Sequence, residues 1–268
     1  MTSHATIPSL PATPGGRREI EVTLPIGYTD DDGKLHRSVV VRKMTGKEEA
    51  ILADRKNQRN GGRLVSELIH SCLIRLGDTP KNGVGTIERL YSADRNYLLL
   101  RLRSITFGAE LPAGYTCSHC SEAFQVTENL DELPVRAMAD GDSPEDILVH
   151  LEDGYVDKDG SVHTALTLRL PTGQDETVVA PQMRQNASLG KNALLSRCIK
   201  SLGDMPKHRI EALGSKILAD LTMTDRRLID RAINEAAPGV DLMREIVCPS
   251  CGASFKATLD MTHFLALG

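Results

Sequence analysis

The chain has 268 residues, with 32 Lys and Arg against 36 Asp and Glu, 40% hydrophobic residues, six cysteines, five tyrosines, four phenylalanines and no tryptophan. That length supports one or two domains, the composition excludes a disordered chain, and the formal net charge of −4 argues against broad binding to a nucleic-acid backbone. No apolar run approaches the ~18 residues of a membrane span and the first residues lack a signal-peptide core, so a reducing cytoplasm is expected, where cysteines are ligands or core residues more often than disulfides.

Residues 1–18, rich in Pro, Ser, Thr and Gly, read as a flexible N-terminal tail. Ile20, Val22, Leu24 and Ile26 then alternate with other residues at the period of a half-buried strand. Asp30–Gly33 is a turn signal, and Val39 and Val41 return on a second strand, predicting a β-hairpin. Thr45 followed by Glu48 is a capping box that opens a helix. A second helix carries Leu64, Val65, Leu68, Ile69, Cys72, Leu73 and Leu76 and stops at Gly77. A third starts near Asp94, a residue suited to a helix N-terminus, and ends before Gly108. A strand, a Cys117-x-x-Cys120 turn and a return strand through Phe124 and Val126 close the set, and residues 132–145 read as a linker.

The order then recurs. Ile147, Val149 and Leu151 lead to Lys158-Asp159-Gly160 and back through Leu166 and Leu168; Thr172 with Asp175 is a weaker capping box. Leu194, Leu195, Cys198, Ile199 and Leu202 form a helical stripe ending at Gly203, extra helical sequence lies around Ile210–Leu218, and a last helix runs from Asp225 to before Gly239. Cys248-x-x-Cys251 and a strand through Phe255 and Ala257 follow. Between Ile20–Gly46 and Ile147–Gly173, 12 of 27 positions are identical, where unrelated segments would share about two. Leu76–Lys81 matches Leu202–Lys207, and all six cysteines fall into aligned pairs. The expectation is a tandem duplication in an α+β fold: a tail over 1–18, a first unit over 19–131, a linker over 132–145 and a second unit over 146–268.

Cys117-x-x-Cys120 and Cys248-x-x-Cys251 look like zinc knuckles, since the two-residue spacing lets a turn aim both thiolates at one ion. Tetrahedral zinc needs four ligands and each unit supplies two. The economical arrangement is one structural Zn2+ per chain, held by Cys117, Cys120, Cys248 and Cys251, with the units packed about an approximate two-fold axis. Sites completed by other residues or by another chain, and free or redox thiols, are the alternatives. His119 is an available substitute ligand but reads better as an exposed turn histidine, and Cys72 and Cys198 read as core packing. His36 and His163 read as turn or strand-face residues, and Asp94-Arg95 and Asp225-Arg226 as helix starts. No catalytic or phosphate-binding motif is present, so no enzyme and no small-molecule substrate are expected.

The steps Thr45–Glu49 and Thr172–Glu176, then Asp94–Leu98 and Asp225–Ile229, followed by the small knuckle end, resemble the T4-type phage baseplate hub assembly proteins, found in phage tails and related contractile injection systems. Asp94–Arg103, leading through Gly108 to Cys117-x-x-Cys120, carries most of the likeness. The resemblance implies a structural or assembly role in a contractile-tail baseplate, with other tail and baseplate proteins as partners, in the virion or in the bacterial host cytoplasm during assembly. The hairpins Ile20–Met44 and Ile147–Leu170, or the tail, are the expected contact points. The alternative is a zinc-ribbon module for nucleic acid or the transcription machinery. Such modules carry basic or aromatic residues near the knuckle, whereas Glu122, Glu128, Asp131 and Glu132 flank this one.

Overall fold

The structure is a computed structural model that describes residues 18–78, 83–139 and 143–259. Residues 1–17 of the expected tail, Thr79, Pro80 and Lys81 of the Leu76–Lys81 match, and residues 140–142 lie outside it. The fold is mixed α+β.

Strands β1 (Glu19–Thr29) and β2 (Leu35–Arg42) form the expected hairpin, with Ile20 opposite Val41 and Val22 opposite Val39. Between Thr23 and Tyr28 the register shifts. Gly27 within it takes φ +106°, where an added Cβ would lie 2.8 Å from Arg37 Cγ and 2.9 Å from the His36 carbonyl, and Pro25 supplies no N–H to the ladder. After α1 (Gly46–Ala53), α2 (Arg55–Gln58) and α3 (Gly61–Cys72), strand β3 (Leu73–Leu76) pairs with β2, placing Leu76 opposite Val39 and Leu73 opposite Val41. The helix expected to reach Gly77 therefore stops at Cys72. Leu73 and Leu76, three residues apart, fit a helical stripe as well as the two ends of a short strand. The edge of β2 decides between them, because its backbone N–H and C=O groups need partners.

Helices α4 (Val84–Arg89) and α5 (Ser92–Phe107) follow, then the hairpin of β4 (Glu110–Thr116) and β5 (Ala123–Asn129) and the short strand β6 (Val135–Arg136). Strands β7 (Ile147–Val156) and β8 (Val162–Leu168) form a second hairpin, again with a register shift, between His150 and Tyr155. Helices α6 (Gly173–Gln185) and α7 (Ala187–Cys198) lead to β9 (Ile199–Leu202), which pairs with β8 as β3 does with β2. Here too the expected helix ends at its cysteine. The extra helical sequence around Ile210–Leu218 forms α8 (Lys207–Leu213) and α9 (Ser215–Asp220). Helix α10 (Met223–Ala236), β10 (Gly239–Val240), and the hairpin of β11 (Met243–Val247) and β12 (Ser254–Thr258) complete the described chain. Strand β10 pairs with β6, so the chain just before 140–142 is tied to the segment that follows α10.

Among the described residues the core has three parts. Val22, Leu24, Val39 and Val41 pack with Leu68, Ile69, Cys72, Leu98 and Leu102. Val149, Leu151, Leu166 and Leu168 pack with Leu195, Cys198, Leu218 and Ile229, and this cluster also takes in Ile26 and Met138. The third cluster joins the two small hairpins through Leu111, Ala113, Tyr115, Ile246 and Leu259. Burial of this apolar area, at about 25 cal/mol per Å², is the main force holding the elements together. Helix α6 packs directly on α3: at Gly62 an added Cβ would lie 2.5 Å from the Thr177 backbone nitrogen.

Candidate metal centre

The small hairpins end in matching turns. In the first, Cys117 N–H donates to the Glu122 carbonyl and Ser121 N–H to the Cys117 carbonyl, each at 2.9 Å. In the second, Cys248 N–H donates to Ala253 and Gly252 N–H to Cys248, again at 2.9 Å. Ser121 and Gly252 occupy the same left-handed position, with φ 62° and 72°. This backbone aims both sulfurs of each turn in one direction, as the two-residue spacing implies.

The turns face each other. Cys117 Sγ lies 3.7 Å from Cys251 Sγ, and Cys120 Sγ 3.7 Å from Cys248 Sγ; all four sulfurs lie within 4.8 Å of one another. A disulfide needs about 2.05 Å, so these are separate thiols. Four sulfurs arranged tetrahedrally at about 2.3 Å from a zinc ion would be about 3.8 Å apart, so the donor set fits such an ion in chemistry and in spacing. Cys117 and Cys248 are buried while Cys120 and Cys251 are exposed, so one sulfur of each turn faces the hairpin core and one faces solvent. The Cys117 thiol is lowered to about 6, first by the Cys120 backbone N–H and then by that of His119. The Cys120 thiol is pulled down by the Glu122 N–H, yet burial and the neighbouring sulfurs outweigh this and push it up to about 12. Clustered thiols resist shared ionisation until a cation joins them.

Side chains beneath the cluster hold the hairpins in place. Phe124 and Phe255, aligned in the two turns, meet edge to face with ring centres 6.4 Å apart. Glu128, buried on β5, accepts from the Tyr115 hydroxyl at 2.8 Å and from Arg244 Nε on the other hairpin at 2.9 Å. Burial, with the Glu128 carboxylate alongside, pushes the Tyr115 hydroxyl up to about 12.

The remaining candidates fall elsewhere. His119 is exposed, and only its backbone N–H approaches Cys117 Sγ, at 3.4 Å. Cys72 and Cys198 are fully buried in the two larger clusters, and burial pushes the Cys198 thiol up to about 12. His36 sits 2.7 Å from Asp30 Oδ2 and His163 3.4 Å from Asp157 Oδ2, where each carboxylate also caps the turn that precedes its histidine. Asp94 and Asp225 do lie in first helical turns, but the N-caps are Tyr91 and Thr222. Sequence reasoning missed what their carboxylates reach. Asp94 accepts the N–H groups of Ile26 and Gly27 at 2.8 Å each, and Asp225 those of Glu152 and Gly154 at 2.6 and 2.9 Å. Each closes the bulge of its hairpin; the recurrence of aspartate beside a recurring glycine was the available signal.

A second site of this kind was only half legible. Glu48, expected as a capping-box residue, also receives both Arg42 guanidinium nitrogens and the Ser71 hydroxyl. Asp175 holds Arg169 and Arg197 in the same way, and its capping box with Thr172 is complete rather than weak.

An α+β protein whose two small hairpins converge on a four-cysteine cluster is thus the class that fold and site define. The family model described as T4 bacteriophage base plate protein matches residues 17–266, and the chain belongs to that family. No curated protein and no solved structure matches the chain. Among the described residues no helix is long and apolar enough to cross a membrane.

Proposed function

We propose that this chain is a structural component of a contractile-tail baseplate, built as a tandem duplication and held by one zinc ion bound to Cys117, Cys120, Cys248 and Cys251. The family match over residues 17–266 carries the baseplate reading. The four sulfurs support the metal, whose task is to tie the hairpin of one unit to that of the other. A structural zinc can contribute about 10–16 kcal/mol of apparent binding energy, enough to fix this junction without any catalytic role. The duplication is supported by paired features: a bulge closed by an aspartate, an arginine–carboxylate hub and a knuckle, each occurring twice. The units are 19–131 and 146–268, with 1–18 as a tail and 132–145 as the connection, in approximate two-fold relation around the zinc. Other tail proteins are the partners, reached through the hairpins Ile20–Met44 and Ile147–Leu170 or through the tail, in the virion or in the host cytoplasm during assembly.

Two measurements test this reading. Elemental analysis of the purified chain gives one zinc per chain, lost in both Cys117→Ser and Cys248→Ser; two zincs, or none, overturn the shared site. Tails produced without this chain show defective baseplates by electron microscopy, and intact baseplates would remove the structural role.

A further inference from the structure

Four cations crowd the junction of α2 with α3. Arg55, Lys56, Arg59 and Arg63 are all exposed, and the nine residues from Arg55 to Arg63 hold no carboxylate. Arg184, near the end of α6, joins them by donating from Nη1 to the Arg59 carbonyl at 3.1 Å. The Asn60 side-chain amide donates to the Thr177 carbonyl at 2.8 Å and fastens α6 beside the junction. Five positive charges thus share one region of a chain whose formal net charge is −4.

Inside the chain these charges have little to do. Among the described residues, Arg55, Lys56, Arg59 and Arg184 pair with no carboxylate, and Arg63 reaches only Glu67, at 3.8 Å and with 54% of its own side chain exposed. Asp54, the nearest acid in sequence, caps α2 by accepting from Lys56 N–H at 2.7 Å. Arg63 stands in the first turn of α3, where the helix dipole disfavours a cation.

The molecule carries its own control. Helix α7 is N-capped by Asn186 as α3 is by Asn60. Counted from those caps, the stretch that matches Arg55–Arg63 is Pro181–Leu189, and Arg184 is its only cation. Gln182 stands for Lys56, Gln185 for Arg59 and Leu189 for Arg63. The same helix-to-helix junction forms there without the charges, so packing does not require them.

Guanidinium groups pair side-on with carboxylates, and an exposed cation cluster without internal partners is complementary to clustered carboxylates. The cluster holds no aromatic side chain on which a base could stack, and the acidic balance of the chain weakens long-range attraction to a nucleic-acid backbone. We propose that this surface, separate from the hairpins and from the cysteine cluster, docks a carboxylate-rich segment of another protein. Arg55, Arg59 and Arg63 pair with its carboxylates, and Lys56 and Arg184 flank them.

The probe is fluorescein-labelled decaglutamate, added to the full zinc-loaded chain at about 0.1 M salt, where the Debye length is about 10 Å. Its anisotropy should rise with chain concentration. The triple variant Arg55→Gln, Arg59→Gln, Arg63→Gln should bind about tenfold more weakly or worse. The pair Arg227→Gln, Arg231→Gln, at exposed positions of α10, should bind as the wild type does. In the wild type, a carbodiimide that condenses carboxylates with amines should join the probe to Lys56 ahead of other lysines, as read by peptide mass mapping. No binding by the wild type, equal affinity in the triple variant, an equal loss in the α10 pair, or coupling that avoids Lys56 overturns the proposal. An oligothymidylate of equal charge that binds more tightly than decaglutamate assigns the surface to nucleic acid and also overturns it. So does a molar mass that falls only in the triple variant, which assigns the surface to a second copy.

Discussion

Arg95 Nη1 lies 2.6 Å from Glu176 Oε2, joining α5 to α6 across 81 positions of sequence. The Arg95 side chain is fully buried, and its other end donates to the Gly62 carbonyl and the Ser66 hydroxyl. Burial lowers its pKa, with Glu176 and Glu88 pulling the other way. A buried cation without its anion is costly, whereas an apolar replacement of similar length removes both the charge and its desolvation. Glu176→Gln should therefore cost about 3 kcal/mol in urea unfolding and Arg95→Met clearly less. The reverse order would mean that Arg95 is held by its backbone contacts rather than by the ion pair.

Glu48 sets an acid limit. Burial would raise its pKa, but Arg42, Ser71 and Thr45 outweigh this and hold it at about 2, below the ordinary 4.5. The folded state thus binds this proton less tightly than the unfolded chain. The contribution, about 3 kcal/mol, is complete above pH 4.5 and is lost as pH falls towards 2. Urea midpoints between pH 6 and pH 2.5 should fall more steeply for the wild type than for Glu48→Gln; parallel curves would remove Glu48 as the cause.

Asp94 works in the opposite sense. Burial raises it to about 6 from 3.8, although the Ile26 and Gly27 N–H groups pull it down. A raised folded pKa gives stability that is full below pH 3.8 and lost as pH rises through 6. Relative to Asp94→Asn, the wild type should lose about 2 kcal/mol between pH 4 and pH 7. A stability difference that stays flat over that range would show that Asp94 is ionised without penalty.

Glycines in the first hairpin separate strain from crowding. Gly33 has φ +80° with open space around the position of a Cβ, so Gly33→Ala should cost about 1 kcal/mol. Gly27→Ala meets the same backbone penalty and also the contacts to Arg37 and the His36 carbonyl, and should cost at least about 2 kcal/mol more. Equal thermal shifts for the two variants would mean that the bulge relaxes freely.

Metal removal should act locally, because the hairpin cluster is separate from the two larger cores. With a chelator, amide exchange should rise about tenfold or more in residues 110–129 and 243–258, while β1–β3 and β7–β9 keep their protection. A uniform rise across the chain would make the metal a requirement for the whole fold.

What was legible followed from periodicity and spacing. Val22 with Leu24, and Val149 with Leu151, announce their strands because one face is buried. The cysteine pairs announce their turns because two intervening residues leave the backbone little choice. Strands β3 and β9 were hidden, since four residues carry too little pattern and only the edges of β2 and β8 select their conformation. The targets of Asp94 and Asp225 were hidden for a related reason: local sequence marks a first helical turn, but the N–H groups that the carboxylates reach lie 67–73 positions away. Cys117 meets Cys251 and Cys120 meets Cys248 through tertiary packing that spacing alone leaves open.

The 134 positions between Cys117 and Cys251 also order events in time. During synthesis the first turn emerges long before the second, and it waits as an open dithiol while α6 to α10 are being made. Bringing together ends that far apart restricts the unfolded chain more than any local turn can. Until that second turn is made, Cys117 and Cys120 lack the sulfurs of Cys248 and Cys251 that face them in the folded chain.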